Sequence, residues 1–289
     1  MNNSSTSSNT SSQPLVSVII TTYNSADFLE ALLQSIKKQT HSRIEIIVVD
    51  NNSKDRTKEI AGKFTDRVYN QGPERSAQRN FGAHQAQGDY LLVLDSDMVL
   101  SEGVVAACVE EMQDNSESSA IIIPERSFGK GFWTQCKILE RTFYEGVDWM
   151  EGARFFRKDI FLGIGGYDEN ITGPEDFDLP QRIRQKHGAR AIGRVDPYIF
   201  HNERRLSLLK TCRKKFYYAQ NLDQYKKQNN QLLVIQANPL KRYKLFFSQP
   251  GKLIRHPVIA AGMLFMKTCE LGSGGLGYLI SQIRKKISK

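Results

Sequence analysis

Three short apolar runs constrain this chain more than any other feature: Val16–Thr21 (VSVIIT), Ile44–Val49 (IEIIVV) and Tyr90–Leu94 (YLLVL). Each is long enough for a strand and too continuous to leave one face in water, so each predicts a strand covered on both sides. Helical patterns separate them. Asn24-Ser25 is the expected cap of a helix with Phe28, Leu29, Leu32, Leu33 and Ile36 on one face. A short helix over about 57–64 and a strand at about 67–70 follow. A helix over about 75–87 comes next, closed by Gly88 in the position after its C-terminus. This alternation predicts an α/β domain with a mostly parallel sheet, whose ligands gather at the carboxyl ends of the strands.

Polar clusters stand at those ends: Thr21-Thr22-Tyr23-Asn24, Asp50 and Asp95-Ser96-Asp97. Two carboxylates one residue apart at the end of a core strand are costly unless a cation compensates them. A divalent metal holding a diphosphate is one such arrangement; a surface turn is the plain alternative. Three clusters at equivalent strand ends favour the functional reading.

Further along, a helix is expected over about 102–113 and strands over 120–124 and 152–157. Between the latter two, residues 125–150 form an aromatic-rich connection, suited to cover a pocket or to fill a core. Gly163 to Glu169 is a glycine-rich turn without the Gly-Lys-Ser/Thr of a phosphate-binding P-loop. Gly173-Pro174-Glu175-Asp176-Phe177-Asp178 opens a helix to about His187, and the helix dipole alone accounts for acids in its first turn.

Four blocks then carry a resemblance: SVIITTYNSADFLEALLQSI, IIVVDNNSKD, RSAQRNFGAHQAQGDYLLVLDSDM and IGGYDENITGPEDFDLPQRIR. In order and spacing they resemble the family 2 glycosyltransferases over about Pro14 to His201. The resemblance implies the GT-A fold, a Rossmann-like α/β architecture with a mixed, mostly parallel sheet between helices. It also implies inverting transfer of a sugar from a nucleotide sugar, with bound Mn²⁺ or Mg²⁺. By position, Thr21 and Tyr23 match residues lining the base and ribose pocket, and Asp50 the carboxylate that accepts from the base. Arg75 and Arg79 fall in the block facing the nucleotide and its phosphates, unranked between them. Asp95 and Asp97 match the Asp-x-Asp element, the first directed to ribose or metal and the second to metal, with Ser96 between them in the nucleotide-sugar set. Asp176 matches the catalytic base, with Glu175 beside it as a second catalytic candidate. His201 matches a histidine that completes the metal site. The sequence departs from many relatives at Asp50-Asn51-Asn52, where amides replace a second acid.

Charge divides the chain. Residues 1–202 carry 22 Lys and Arg against 28 Asp and Glu, whereas residues 203–289 carry 18 against 3. Anions are therefore attracted by the last third. Within it, 206–227 suits an amphipathic basic helix, and 257–280 is the most apolar stretch. Lys267, Glu270 and four glycines make the latter a poor membrane span, while flanking Lys and Arg suit an interfacial anchor on anionic lipid. A helical hairpin packed on the catalytic domain is the alternative. No nucleic-acid-binding module is recognisable. Cys108, Cys136, Cys212 and Cys269 lie far apart, which suits a reducing compartment. The first residues, MNNSSTSSNTSS, predict disorder and lack the basic and apolar regions of a secretory signal.

The expected organisation is a disordered arm (1–13), a GT-A catalytic domain (14–202) and a basic helical C-terminal region (203–289) at a membrane periphery. The expected activity is sugar transfer from a UDP- or GDP-linked donor to a hydroxyl of a lipid-linked or cell-envelope glycan, in the cytoplasm at the inner face of the plasma membrane. Three alternatives stand beside it. Transfer to a polyprenyl phosphate would need no base. A sugar-1-phosphate nucleotidyltransferase would need a glycine-rich, Arg- and Lys-bearing loop after the first strand, which is absent here. A non-catalytic glycan- or nucleotide-binding module at a membrane is the third. Sugar identity, base preference, acceptor, linkage and oligomeric state are not encoded in these motifs.

Overall fold

Val16–Thr22 is buried at every position, as a strand is only when both faces of its sheet are covered. The computed structural model describes residues 13–287. It begins with β1 (Val16–Thr22), α1 (Ala26–Lys37), β2 (Ile44–Asp50), α2 (Thr57–Gly62), β3 (Val68–Asn70), α3 (Arg75–Gln85) and β4 (Tyr90–Asp95). Next come β5 (Met98–Leu100), α4 (Val104–Asp114), β6 (Ala120–Ile122), β7 (Glu125–Phe128) and α5 (Phe132–Thr142). Then follow β8 (Phe155–Arg157), α6 (Lys158–Gly163), α7 (Glu175–His187), β9 (Ile192–Arg194) and β10 (Ile199–Asn202). The chain finishes in helices α8 (Leu208–Gln220), α9 (Asp223–Ala237), α10 (Pro239–Phe247), α11 (Pro250–Arg255) and α12 (Pro257–Ile287).

The main sheet has the order β3-β2-β1-β4-β8-β6-β9, parallel from β3 to β4 and antiparallel where β8 meets β4 and β6. Alternation along β1 sends Val18 and Ile20 to one core with Leu29, Leu32, Leu33 and Ile36 of α1. Ile19 turns to the other face, with Ala83 of α3 and Leu179 and Ile183 of α7. Register sets Thr22 beside Asp50 and Thr21 beside Asp95, so the three polar strand ends are neighbours in space. A second sheet, β5-β10-β7, pairs His201 with Met98, directly after Asp97.

Three expectations change. Ser25 stands at the start of α1, yet its side chain caps nothing, because its Oγ is engaged with Tyr23 and Ser96. Asp55 accepts from the Ala26 N–H instead, at 3.1 Å. α3 stops at Gln85, and Gly88 is not its closing residue. A glycine is needed there because a Cβ would lie 2.5 Å from the Leu15 carbonyl and 2.7 Å from Ser17 Oγ. Of the arm expected to be disordered, residues 1–12 lie outside the described residues, while the carbonyl of Gln13 at its end accepts from Arg43 at 2.5 Å.

The apolar C-terminal stretch is neither broken nor a hairpin: α12 is one helix of 31 residues. Its glycines persist because the inner face is packed. Ala260, Met263 and Met266 are buried, Met263 and Met266 in a core with Phe143 and Phe246, while Gly277 lies on the backbone carbonyl of Phe216 in α8. Of the rings in residues 125–150, Phe143 and Tyr144 fill this core, while Phe128 and Phe132 are exposed and cover no described cavity. No described helix is long and apolar enough to cross a membrane.

This packing predicts opposite signs for two glycines on one helix. Gly277→Ala should destabilise by about 1–3 kcal/mol through overpacking on Phe216. Gly275→Ala, whose added Cβ meets nothing within 4 Å, should stabilise by about 0.5–1 kcal/mol through helix propensity. Urea midpoints measure both, and shifts of the same sign would disprove the contact.

Candidate functional site

The aligned ends of β1, β2 and β4 collect acids that a protein interior tolerates only with cations beside them. The principal cation is Arg79, wholly buried on the inner face of α3. Its Nη2 donates to Asp95 Oδ1 at 3.0 Å and its Nη1 to Asp176 Oδ1 at 2.7 Å, with Glu175 Oε1 at 3.7 Å. The guanidinium also lies 4.9 Å from the ring centroid of Tyr167, on which it is further held. One side chain thereby links the end of β4 to the first turn of α7. Arg75, one helical turn earlier and partly exposed, lies 3.1 Å from Glu175 and 3.8 Å from Asp95. The structure thus ranks the two arginines, with Arg79 as the buried centre and Arg75 at the rim.

Burial alone would raise the pKa of Asp95, but Arg79, Arg75 and Arg154 outweigh it and hold the carboxyl well below the usual range. Glu175 moves the other way. Burial and the neighbouring charge of Asp176 raise it against the pull of Arg75 and Arg79, and its Oε2 accepts from Gly173 N–H at 2.6 Å. Asp176 is the more open of the pair. Its Oδ2 lies 3.8 Å from Arg154, beyond hydrogen-bonding distance, and the residue lines a cavity.

Asp97 stands apart from this cluster, with Oδ1 3.5 Å from His201 Nε2 and Oδ2 3.5 Å from Arg204. His201 Nδ1 contacts Glu125 Oε2 at 3.3 Å. Burial lowers the His201 pKa, but the two carboxylates prevail and push it up to about 9. Among the described residues no three acid, histidine or cysteine side chains converge as a ready metal cage. Asp95 is committed to arginines, so Asp97 and His201 are the two groups that remain. A carboxylate oxygen facing an imidazole nitrogen suits Mn²⁺ or Mg²⁺ when substrate phosphates and water supply the other ligands.

Several residues expected at the nucleotide face inward instead. Asp50 is fully buried; it accepts from Thr22 Oγ1 at 2.7 Å and from Ser53 N and Oγ at 2.7 and 2.6 Å. Its oxygens are spent on fastening the β2–α2 loop to β1. Ser96 is buried and donates to Ser25 Oγ at 2.8 Å, locking β4 to the start of α1. Thr21 donates to Asp95 at 3.2 Å. Tyr23, 62% exposed, is open, as is its neighbour Asn24. The amides after Asp50 have backbone work: Asn52 adopts φ 51°, a region asparagine enters readily, and Asn51 donates to the Pro73 carbonyl at 2.9 Å.

Sequence reasoning missed Glu125 and Arg154. Arg154 donates to Glu125 at 2.6 Å and lies 3.9 Å from Asp95, so the two side chains connect the arginine-held acids to His201 and Asp97. A signal existed for each. Glu125 follows the apolar run 120–123 as Asp95 follows the apolar run 90–94, and Arg154 is a charge beside the apolar pair Phe155-Phe156. Also missed was the ring formed by Lys137 and Glu140 of α5 with Lys267 and Glu270 of α12, in which each lysine touches both glutamates at 2.5–2.7 Å. A cavity of about 400 Å³ runs from Asp95, Asp176 and His201 to this ring.

Arg79→Met should cost about 3–5 kcal/mol, because it leaves buried carboxylates facing one another without their cation. Denaturant unfolding at neutral pH measures the loss. A variant as stable as the parent would remove Arg79 from its central place.

Residues 17–167, just over half the chain, match glycosyl transferase family 2. An uncharacterized glycosyltransferase of Rickettsia typhi is 28% identical over 187 residues, covering 57% of this chain and 57% of the relative. The GalNAc(5)-diNAcBac-PP-undecaprenol beta-1,3-glucosyltransferase of Campylobacter jejuni is 34% identical over 180 residues, covering 56% of this chain and 57% of the relative. The matched segments thus span little more than half the length of these curated relatives. Among solved structures, the mannosyltransferase PcManGT from Pyrobaculum calidifontis, in complex with GDP-Man and Mn²⁺, superposes with a TM-score of 0.59 over 93% of this chain and 88% of that one, at 14% identity. That likeness establishes the fold as GT-A, and with the match over residues 17–167 the chain belongs to glycosyl transferase family 2.

Proposed function

We propose that the chain transfers a sugar from a UDP- or GDP-linked donor to a hydroxyl of a lipid-linked or cell-envelope glycan, with inversion at the anomeric carbon. The observation that carries this reading is Asp176, held by Arg79 beside Asp95 and opening into the cavity. Tyr23 is the open aromatic side chain at the strand ends, against which a base can stack. Asp97 and His201 would hold Mn²⁺ or Mg²⁺. When bound, the cation offsets charge on the departing diphosphate. Asp176 would take the proton of the acceptor hydroxyl through Oδ2, while Arg79 fixes Oδ1 and so aims the carboxylate. Glu175 and Arg75 steady that turn of α7. The GDP-Man and Mn²⁺ of the solved relative support the donor class, and the lipid-diphosphate glycan named for the Campylobacter relative supports the acceptor class.

The test is calorimetry of UDP and GDP with and without Mn²⁺, beside transfer rates. Asp97→Ala should abolish the gain in nucleotide affinity that Mn²⁺ brings. Asp176→Asn should slow transfer by about 10²-fold or more with donor affinity nearly kept. Equal losses of rate and donor affinity in Asp176→Asn would make it a binding residue, and a Mn²⁺ effect surviving Asp97→Ala would displace the metal assignment.

The same reading places the protein on the inner leaflet of an anionic membrane. Val258, Phe265, Leu276, Leu279, Ile283 and Ile287 are exposed and recur at helical spacing along one face of α12. Arg255 and Lys286 flank that stripe in a region of strongly positive charge, while Lys252 is turned to the Thr142 carbonyl. All four cysteines are free thiols, as a reducing compartment leaves them. Deleting α12 would strip two charges from the buried ring, so point changes are the sound probe. Phe265→Ser with Leu279→Ser and Ile283→Ser should release the protein from phosphatidylglycerol vesicles without weakening nucleotide binding; undiminished co-sedimentation would refute the membrane face.

A further inference from the structure

The cavity beneath Asp176 ends in a surplus of positive charge that sugar hydroxyls do not need. At that end Lys137 and Lys267 are matched by Glu140 and Glu270, each lysine touching both acids, and this ring is neutral as a unit. Three further cations line the same space: Lys214, Lys215 and Arg242. None of them has a carboxylate within 4 Å among the described residues. Arg242 donates to Tyr144 Oη at 2.9 Å and to the Gln236 carbonyl at 3.0 Å, and lies 5.2 Å from the ring centroids of Tyr144 and Trp149. Lys214 rests over Tyr218 at 5.5 Å. Lys215 has no hydrogen-bond partner among the described residues.

Lys215 is also unusually placed. It lines the cavity and is exposed to solvent there, with the four-charge ring close by. Burial pushes its ammonium down to about 8; Glu270 and Glu140 oppose that shift, and Lys137 and Lys267 add to it. A lysine so held gains when an anion arrives, because the anion supplies the counter-charge that the chain withholds. Thr21, Tyr23 and Asp50 are not among the cavity's lining residues. The surplus therefore lies on the acceptor side of Asp176, away from the strand ends where a nucleotide would sit.

We propose that Lys214, Lys215 and Arg242 bind a phosphate or diphosphate group carried by the acceptor, anchoring it so that its hydroxyl reaches Asp176. The inference rests on the sugar-transfer reading above and narrows the acceptor to an anionic one. Point charges on lysine stems and a stacked guanidinium are the groups that recognise phosphate oxygens. A neutral glycan would leave the three cations without an acidic partner along the cavity wall. The phosphate can come from a lipid-borne diphosphate or from a soluble phosphorylated sugar, and the two sources are separable by experiment.

The experiment uses the full chain saturated with UDP or GDP and Mn²⁺, so that the donor pocket is filled, and titrates geranyl diphosphate and inorganic pyrophosphate by calorimetry. Lys215→Met should weaken binding of the anion by about tenfold or more, and Lys215→Arg should restore most of it. Lys214→Met should act in the same direction. Thermal unfolding of each variant checks that the fold is kept. Tighter binding of geranyl diphosphate than of pyrophosphate, lost in Lys215→Met, supports the site with a lipid-borne source; equal binding of both, lost in the same variant, supports it with a soluble one. Nucleotide binding with anion affinity absent from the parent, or unchanged in Lys215→Met, overturns this inference alone. Failure of both nucleotides to bind the parent overturns the transfer reading and the inference with it.

Discussion

The site depends on one buried guanidinium. Arg79 sits in the middle of α3 and binds acids from two places far apart in sequence, the end of β4 and the start of α7. Without it, Asp95, Glu175 and Asp176 would repel one another in a region where water cannot screen them. From that centre the charges alternate outward: Asp95 to Arg154, Arg154 to Glu125, Glu125 to His201, His201 to Asp97, and Asp97 to Arg204. Alternation of this kind lets many ionised groups share a small volume, each offset by its neighbours. It also aims carboxylate oxygens at defined points before any substrate arrives.

Much of the frame was legible in the sequence because burial leaves a plain mark there. β1, β2 and β4 stand out as continuous apolar runs, and the acids after them stand out by contrast. What such contrast does not reveal is the direction a polar side chain takes. Asp50 and Ser96 occupy the same kind of strand end as Asp95, yet both turn inward to fasten loops. Arg75 and Arg79 are one turn apart on one helix face, and only the packing of α7 decides which is enclosed. Glu125 and Arg154 went unnoticed because they meet across strands separated by a whole helix.

In the C-terminal third the helices and the poor membrane span were legible, and the packing was not. The glycines of 257–280 each cost about 1 kcal/mol in a helix interior. The cost is borne because Gly277 lets α12 lie against the α8 backbone, and the rest of the inner face packs on α5 and α10. Lys267 and Glu270, read as obstacles to a membrane span, are the residues that bind the helix to the catalytic half.

The four-charge ring of Lys137, Glu140, Lys267 and Glu270 has a bearing on how such a protein can change over time. Its members come from α5, inside the family-matched segment, and from α12, beyond it. Exchanging the tail for that of a relative while keeping the remainder would strand two buried charges on either side of the seam. Recombination that replaces the tail therefore requires α5 and α12 to travel together. The practical unit for a chimera is the pair of helices with the cavity wall they share.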